Sequence, residues 1–443
     1  AGRTAGRVGG GRGNVSRLRL SNGTVPVPAG EVEFDEVGSP GPARPGSRAC
    51  GPYLNVSTTG DDGDSLLPGE EGGEFLDLTV HYRPSDLEEP PLDDSTVRIG
   101  RYDDGWSTVG NGSRDTGERR VSANITAPGG VYAPVAALRN AVTECGRTLD
   151  GDGRTYRVDT GLSGSGSRCL LVDGSDITVI GFGQDGEQPR SLDGQDAGSS
   201  GIVVADGAAG TTLRNLTVRD FGTGFELRGD DTTIRRATAF SNADRGLLVT
   251  GTGTAVRNVS AGSNGGADGD GILLRGATDT SLEQVLVRNS GGWGLREAGS
   301  MSGTTATELN VFYDEDDDGV GRNVVVAFDA SRHIALGPVA DPPDRGRGLE
   351  GIGDYLDIEG QQDDAYLDLT IAYDEGDVSD ESALSFYRYD DRTGTYSEVT
   401  DPRVDPAADT LGANLTSFST FAPLVDTSTD GGSGGGDDGG GDS

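Results

Sequence analysis

A glycine followed by a short apolar run recurs through the middle of the chain at nearly constant spacing. The glycines are Gly201, Gly224, Gly246, Gly271 and Gly294, so the steps are 23, 22, 25 and 23 residues. A second apolar set advances at the same pace between them. Two short strands every 22 to 25 residues are typical of a parallel β-helix, whose rungs bury their apolar faces only by stacking on their neighbours. The spacing therefore predicts a parallel β-helix over residues 138–312.

The segments before and after this region repeat each other. Residues 75–82 recur as residues 366–373, and the Arg-Tyr-Asp-Asp sequence at 101–104 recurs at 388–391. In both copies apolar and polar residues alternate, and Asp, Gly and Pro fill the turns, as in a β-sandwich. We therefore predict an all-β chain with a β-helix between two homologous β-sandwich domains. The predicted boundaries are 1–31 for an N-terminal extension, 32–137 for copy 1, 138–312 for the β-helix, 313–425 for copy 2 and 426–443 for a flexible Gly/Asp-rich tail.

The charge of the chain is strongly acidic and its basic residues are unusual. Asp and Glu number 73 against 36 basic residues, the formal net charge is -37, and every basic residue is arginine because the sequence contains no lysine. Molar salt shortens the Debye length to about 3 Å and screens such self-repulsion. The composition therefore predicts a halophile protein that binds neither nucleic acid nor an anionic membrane surface. Arg235 and Arg236 lie among acidic residues, so we expect no basic stripe.

Several features favour an exported protein with no transmembrane segment in this sequence. No apolar run reaches 18 residues, the length that predicts a membrane helix. Among the three cysteines, Cys145 and Cys169 flank one strand-turn segment, and the residues alone allow either their pairing, with Cys50 left over, or three free thiols. Eight sequons suit glycosylation of a secreted surface protein. Their asparagines are Asn14, Asn22, Asn55, Asn111, Asn124, Asn215, Asn258 and Asn414.

Two family resemblances refine this prediction. Residues 149–153, 156–158, 169–172 and 177–181 resemble the first rung of right-handed β-helix proteins of the pectate-lyase-like superfamily. In secreted members of that superfamily two cysteines at these places are often linked, which implies a Cys145–Cys169 disulfide here. The flanking repeats resemble a module of exported haloarchaeal and bacterial surface proteins, which implies an extracellular location. The two resemblances together cover most of residues 32–425 and are specific for architecture rather than activity.

The sharpest candidate for a metal site lies between the β-helix and copy 2. Asp314, Asp316 and Asp318 precede a glycine as in the first half of a calcium loop, in which alternate carboxylates converge on one cation. The twelfth position is Val325 rather than the bidentate glutamate, which excludes a complete EF-hand. The sequence therefore predicts either a calcium site, the only cofactor we expect, or a hydrated acidic loop. The acidic pairs Asp268/Asp270 and Asp150/Asp152 are weaker candidates.

Catalysis has less support in the sequence. Asp220, Asp244 and the pair Asp268/Asp270 recur near corresponding turns of successive rungs, so a pair of carboxylates on one face is geometrically compatible with glycoside hydrolysis. Repeated turn aspartates are also expected in any acidic solenoid, and Asn242, Asn264 and Asn289 suit left-handed bends in the same turns. The resemblance to polysaccharide lyases implies a cationic base, lysine or arginine, beside an acid-bound calcium on a solenoid face, and this sequence has no lysine. We therefore expect no enzyme.

The organisation favours a structural protein that assembles with itself. Two similar end domains allow a repeated head-to-tail contact, which generates a filament. Val15, Leu18 and Leu20 alternate like a spare strand, which a neighbouring subunit's sheet edge would accept. We therefore predict an extracellular stalk, adhesin or filament subunit. The alternative is a β-helix that binds or cleaves polysaccharide, with cell-surface glycans as its partners.

Overall fold

The computed structural model of the chain describes most of residues 7–427 and divides them into two compact units. The described ranges are 7–8, 17–21, 30–41, 46–60, 75–88, 91–110, 112–125, 130–181, 189–195, 198–265, 269–299, 303–313, 322–330, 334–339, 342–352, 355–360, 367–373, 378 and 381–427. Unit 1 comprises residues 1–143, 156–160 and 183–186, and unit 2 comprises residues 144–155, 161–182 and 187–443.

Unit 1 is a β-sandwich. Its strands are β1 (Arg7–Val8), β2 (Arg17–Ser21), β3 (Gly30–Val37), β4 (Ser47–Ala49), β5 (Tyr53–Gly60), β6 (Phe75–His81), β7 (Arg98–Tyr102), β8 (Trp106–Thr108), β9 (Ser113–Asp115), β10 (Arg120–Ile125), β11 (Gly130–Ala137), β12 (Ala141–Val142) and most of β14 (Thr155–Val158). Short 3-10 helices lie at Pro84–Leu87 and Asp94–Thr96. One sheet has the order β1-β3-β5-β11-β7-β8, with β4 also on β11, and the other has the order β2-β6-β10-β9.

The two sheets of unit 1 share one apolar core. Leu54 and Val56 come from the first sheet, and Leu78, Val80 and Val121 come from the second, all of them buried. Side chains alternate in direction along a strand, so these residues lie on the inner faces while Asn55 and Asn124 between them are half-buried. The alternation in the sequence thus produces the sandwich.

The solenoid in unit 2 consists of stacked parallel strands. Its strands are β13 (Arg147–Leu149), β15 (Leu162–Gly164), β16 (Arg168–Val172), β17 (Thr178–Gly181), β18 (Arg190–Gly194), β19 (Ser200–Val204), β20 (Thr212–Arg219), β21 (Thr223–Leu227), β22 (Thr233–Phe240), β23 (Arg245–Val249), β24 (Ala255–Gly262), β25 (Ile272–Arg275), β26 (Ser281–Arg288), β27 (Leu295–Ala298) and β28 (Thr304–Tyr313). One sheet has the order β13-β16-β19-β21-β23-β25-β27 and the other runs from β17 through β20, β22, β24 and β26 to β28. The predicted all-β fold with a parallel β-helix is confirmed.

The glycine repeat arises because the same corner of each rung is in close contact with the next rung. A Cβ on Gly224 would lie 2.7 Å from the carbonyl oxygen of Gly246, and a Cβ on Gly246 would lie 2.7 Å from the Nδ2 atom of Asn264. Only glycine leaves room for the next rung at this corner. Beside it, Ile202, Phe225, Leu247, Ile272 and Leu295 form one fully buried column.

A second corner alternates aspartate and glycine. The strand register aligns six residues with positive φ in one column, in the order Asp176, Gly210, Asp231, Gly253, Asp279 and Gly303. A Cβ on Gly253 would lie 2.6 Å from the Oδ1 atom of Asp231. Each aspartate therefore occupies space that the glycine of the next rung leaves open. The residues that follow this column are buried threonines, Thr211, Thr232, Thr254, Thr280 and Thr304.

The C-terminal sandwich continues both solenoid sheets without a break. Its strands are β29 (Arg322–Ala330), β30 (Ile334–Pro338), β31 (Leu349–Gly351), β32 (Leu356–Gly360), β33 (Leu367–Ala372), β34 (Leu384–Asp390), β35 (Thr395–Glu398), β36 (Arg403–Asp405), β37 (Thr410–Leu415) and β38 (Thr420–Asp426), with a short 3-10 helix at Glu381–Ala383. β28 pairs with β29 and β27 pairs with β30, both antiparallel. The sheets then run β29-β33-β37-β36 and β30-β32-β38-β34-β35.

The two sandwiches have matching topology, which moves the start of copy 1. The order β2-β6-β10-β9 in unit 1 corresponds to β29-β33-β37-β36 in unit 2. Leu18 of β2 is opposite Leu78 of β6, and Phe328 of β29 is opposite Leu369 of β33. Residues 17–21 are therefore an integral strand of the first sandwich and not a spare segment, and the predicted boundary at residue 32 lies inside that domain.

Candidate functional site

The carboxylates that the sequence singled out do not share one column. Asp220 lies in a left-handed bend after β20 and is exposed, and its Oδ2 atom lies 3.8 Å from the Nε atom of Arg219. Asp244 precedes β23 and is also exposed. The register places Asp220 level with Ser241 and Asp244 level with Gly269. These aspartates therefore lie near corresponding turns without sharing one column, and Asp268 lies outside the described residues.

Among the members of that set that the structure describes, only Asp270 is deeply buried. It is 1% exposed, and its Oδ2 atom accepts hydrogen bonds from the Nε and Nη2 atoms of Arg296, at 2.9 and 2.6 Å. Arg296 lies on β27, the rung after β25. Two charge-assisted bonds from one guanidinium hold this carboxylate as an ion pair. Sequence reasoning missed Arg296 because its partner lies 26 residues away.

Glu226 forms a second ion pair on the same sheet. Its Oε1 atom accepts from Nη2 of Arg228 at 2.7 Å, and its Oε2 atom accepts from the Ser200 hydroxyl at 3.1 Å. The strands β21 and β25 are two rungs apart, so Glu226 and Asp270 are separated by about 10 Å or more along the solenoid. Each carboxylate accepts hydrogen bonds from an arginine.

The predicted metal ligands lie mostly outside the described residues. Asp314, Asp316 and Asp318 are outside them, so calcium at that loop stays a prediction. Among the described residues no group of three or more His, Cys, Asp or Glu side chains is placed to hold a metal ion. Asp152 has a local role instead, because its Oδ1 atom accepts from the backbone N–H of Ser175 at 2.8 Å. Melting temperatures of the wild type and of an Asp314/Asp316/Asp318→Asn variant, in calcium and in EDTA, test the loop.

The structure pairs two cysteines and buries the third. Cys145 and Cys169 form a disulfide across 24 residues. Cys50 is a free thiol in the core of unit 1. Burial, with the nearby charges of Asp86 and Asp94, raises the pKa of Cys50 to about 12.

The sequon asparagines occupy different environments. Asn55 and Asn124 are half-buried on strands, Asn215 is half-buried in a left-handed bend, and Asn258 is exposed in an equivalent bend. Asn414 is exposed on β37 and lines a shallow cavity together with Arg388 and Ser417. The remaining asparagines, Asn14, Asn22 and Asn111, lie outside the described residues, as does Val15 of the predicted assembly strand.

The asparagines of the solenoid turns form a buried ladder. Asn242 and Asn264 are each 1% exposed, and Oδ1 of Asn264 accepts from Nδ2 of Asn242 at 2.9 Å. The left-handed residue at each of these turns is the preceding one, Ser241 or Ser263, whereas Asn289 itself is left-handed. The prediction that all three asparagines serve left-handed bends is therefore correct only for Asn289.

A stripe of arginines runs along the other solenoid sheet. The register aligns Arg214, Arg235 and Arg257 on consecutive strands, with Arg236 in the adjacent column. Arg214 is half-buried and the other three are exposed. The expectation that the sequence makes no basic stripe is wrong, because residues 21 and 22 positions apart become direct neighbours in a solenoid.

Comparison with known proteins supports the fold. Residues 200–324 match a family model described as a right-handed β-helix region. Searches among curated proteins and among solved structures found no match. The matched residues contain β19 to β28, so this part of the chain is a right-handed β-helix. In the part of the chain that the structure describes, no helix has both the length and the apolar character needed to cross a membrane.

Proposed function

We propose that this chain is a non-enzymatic structural protein of the extracellular surface of a halophile, a stalk or adhesin whose copies associate. The observation that carries the proposal is the continuity of the two sheets of unit 2. Each sheet passes from the parallel solenoid into the antiparallel sandwich through backbone hydrogen bonds, at β28–β29 and β27–β30.

This continuity favours a mechanical role. A solenoid with an open end presents unpaired backbone groups to other chains, and a capping element removes that liability. Here the cap belongs to the same two sheets, so a load along the solenoid is shared by the backbone ladders of both domains. A stalk needs this property, whereas a catalytic solenoid does not require it.

The side chains on the solenoid support the same proposal. Two carboxylates of the solenoid, Glu226 and Asp270, are held by arginines. The Asp270–Arg296 pair links two successive rungs, and Glu226 is linked to the preceding rung through the Ser200 hydroxyl rather than through Arg228. The acidic, lysine-free surface supports the halophile part of the proposal because its self-repulsion is screened in molar salt.

Electron microscopy of the purified chain in molar salt, over a concentration series, tests the structural role. We expect ordered assemblies that become longer or more numerous with concentration. Particles that stay single at every concentration, together with activity on a polysaccharide substrate, would contradict it. A parallel measurement of melting temperature against sodium chloride concentration tests the halophile part, because we expect the temperature to rise steadily with salt.

Polysaccharide binding is the second candidate function. Glu226, Arg228 and Arg296 place alternating charges beside the strands β21 and β27, and such side chains bind sugar hydroxyls and uronate groups in many proteins. Glycan arrays probed with the wild type and with a Glu226→Gln variant test this candidate. Selective binding that the variant loses would favour it, and unselective or unchanged binding would remove it.

A further inference from the structure

The arginine stripe and the aspartate column border one narrow face of the solenoid. The aspartate column, which we call the ridge, consists of Asp176, Asp231 and Asp279, all exposed. On the β22 rung Asp231 lies in the left-handed corner just before the strand, and Arg235 follows four residues later within the strand. The ridge and the stripe, Arg214, Arg235 and Arg257, are therefore opposite edges of the same face.

The surface between the two edges is lined by small side chains. The outward positions on successive strands are Thr212, Thr233, Ala255, Ser281 and Thr305, aligned by the register. The first four are half-buried and Thr305 is exposed. A flat strip of small residues lets another backbone approach closely.

The stripe lacks acidic partners for most of its length. Among the described residues Arg257 pairs with Glu283 at 3.4 Å, and no ion pair involves Arg214, Arg235 or Arg236. The Nε atom of Arg214 is buried and has no hydrogen-bond partner in the part of the chain that the structure describes. Burial, followed by the charges of Arg235 and Arg236, lowers the pKa of Arg214. These like charges, on rungs about 4.8 Å apart, repel one another unless an anion lies between them.

The ridge has the opposite imbalance. No ion pair within the described residues involves Asp176, Asp231 or Asp279. The face thus carries unneutralised positive charge on one edge and unneutralised negative charge on the other.

We propose that this face binds a second copy of the chain in a parallel dimer with two-fold symmetry. A two-fold axis parallel to the solenoid places the stripe of each copy on the ridge of the other, and identical rungs then lie level because both copies have the same rung spacing. Arg235 of one copy is then level with Asp231 of its partner, and the reciprocal pair forms at the other edge. Arg214 and Arg257 are level with Gly210 and Gly253 of the partner, one rung to either side of Asp231. An antiparallel arrangement about an axis across the face would instead place ridge on ridge.

The predicted contact is short-ranged and needs salt. Each copy carries a net charge of -37, so two copies repel strongly when the Debye length is about 10 Å and much less when it is about 3 Å. Bidentate arginine–carboxylate bonds act at about 2.7–2.9 Å, which is no longer than this shortened Debye length. The face is narrow, so we expect a weak dimer at the low end of interface sizes.

This contact deepens the proposed function, because it names the surface through which copies associate. Analytical ultracentrifugation in molar salt, at increasing protein concentration, measures dimer formation. The monomer has a mass of 45.5 kDa, and the dimer has twice that mass. We expect the Arg214→Glu/Arg235→Glu variant to remain monomeric, and the Asp231→Arg/Asp279→Arg variant to do the same. Arg236 already adopts a left-handed bend, so arginine is sterically acceptable in the left-handed column.

An equimolar mixture of the two variants provides the decisive test of charge complementarity between the stripe and the ridge. One variant then has two acidic edges and the other has two basic edges, so we expect a heterodimer although neither variant dimerises alone. The matched control is Arg275→Glu/Arg392→Glu, which makes the same charge change at exposed arginines elsewhere and should still dimerise. Circular dichroism establishes that each variant is folded.

A cysteine at the centre of the face tests the parallel orientation. Thr233→Cys and Thr212→Cys variants should each form an interchain disulfide at its own rung, because the two-fold axis brings equal residues together.

Arg214→Glu/Arg235→Glu chains that dimerise like the wild type would overturn the proposal. Dextran sulfate binding that depends on the stripe, in a wild type that never dimerises, would also overturn it and assign the arginines to an anionic polymer. Filaments that persist in both charge variants would overturn this contact and leave the proposed function standing.

Discussion

The asparagine ladder makes the solenoid sensitive to one buried amide. Asn264 accepts two hydrogen bonds from Asn242, from the backbone nitrogen at 3.0 Å and from Nδ2 at 2.9 Å. It also donates from its own Nδ2 to the carbonyl oxygen of Ala239 at 3.0 Å. An Asn264→Ala substitution removes all three bonds and leaves the Asn242 N–H buried without its acceptor.

The expected loss follows from these contacts. A buried donor without a partner costs about 1–3 kcal/mol, and the bond to Ala239 contributes about 1 kcal/mol more, so we expect a total near 3 kcal/mol. At roughly 2 °C per kcal/mol for a unit of this size, the melting temperature of unit 2 should fall by about 6 °C. Differential scanning calorimetry in molar salt measures this, since it reports the two units separately if they unfold separately.

Controls separate the ladder from a general effect of asparagine removal. Asn310→Ala is the matched control, because that side chain makes one long bond, 3.4 Å, to the carbonyl oxygen of Glu308. We also expect Asn242→Ala and Asn264→Ala to be non-additive by about 1 kcal/mol, since they share the bond between their side chains. Equal shifts for Asn264→Ala and Asn310→Ala, or strict additivity of the two ladder variants, would refute the reasoning.

Three further predictions concern other parts of the chain. Replacing Cys145 and Cys169 with serine should cost about 3.5 kcal/mol, because a 24-residue separation sets that loop-closure entropy; reductant should abolish the difference from the wild type in thermal melts. Gly253→Ala should destabilise by more than about 1–2 kcal/mol, since φ is +69° and the new Cβ would lie 2.6 Å from Asp231, whereas Gly207→Ala enters open space and should leave the melting temperature unchanged. The Cys50 thiol, with its pKa raised to about 12, should resist alkylation at neutral pH until the protein is denatured. The pKa of Cys50 is higher in the folded chain than in the unfolded chain, so this thiol does not change the free energy of unfolding below the unfolded pKa, about 8.5. The free energy of unfolding falls as pH rises from there toward 12, because only the unfolded chain loses the proton.

The period of the glycine repeat was sufficient to predict the solenoid, because one structural constraint acts at every rung. Gly224 and Gly246 face the backbone of the next rung, so the requirement for glycine recurs once per turn and is visible in the sequence. The inward apolar residues recur for the same reason. Local alternation likewise predicts the strands of both sandwiches, since β6 and β33 share their pattern.

The surface of the solenoid was harder to predict because sequence neighbours and spatial neighbours differ. Arg235 follows Asp230 and Asp231 in the sequence, but its nearest neighbours across the strands are Arg214 and Arg257. The signal was present as arginines at steps of 21 and 22 residues, which is the rung period. A search for charges at the same period as the glycines would have found the stripe.

The N-terminal strand was misassigned for a different reason. β2 and β29 have equivalent places in their sheets, yet their sequences, Arg-Leu-Arg-Leu-Ser and Arg-Asn-Val-Val-Val-Ala-Phe-Asp-Ala, share little. A strand position specifies alternation and burial rather than particular residues. Topology therefore identified a correspondence that residue matching did not.

The edges of unit 2 indicate which direction association takes. The solenoid sheets end in β36 and β35, two short strands that carry charged residues, Arg403, Asp405 and Glu398, most of them exposed. Short, charged edge strands discourage strand addition by another chain, and the edges of β28 and β27 that face the sandwich are already paired with β29 and β30. The backbone ladder of unit 2 is thus closed to further strands at its sandwich end. Copies of unit 2 would therefore associate through side chains on the flank of the solenoid rather than by adding strands at the sandwich end. The arginine stripe and the aspartate ridge run along that flank.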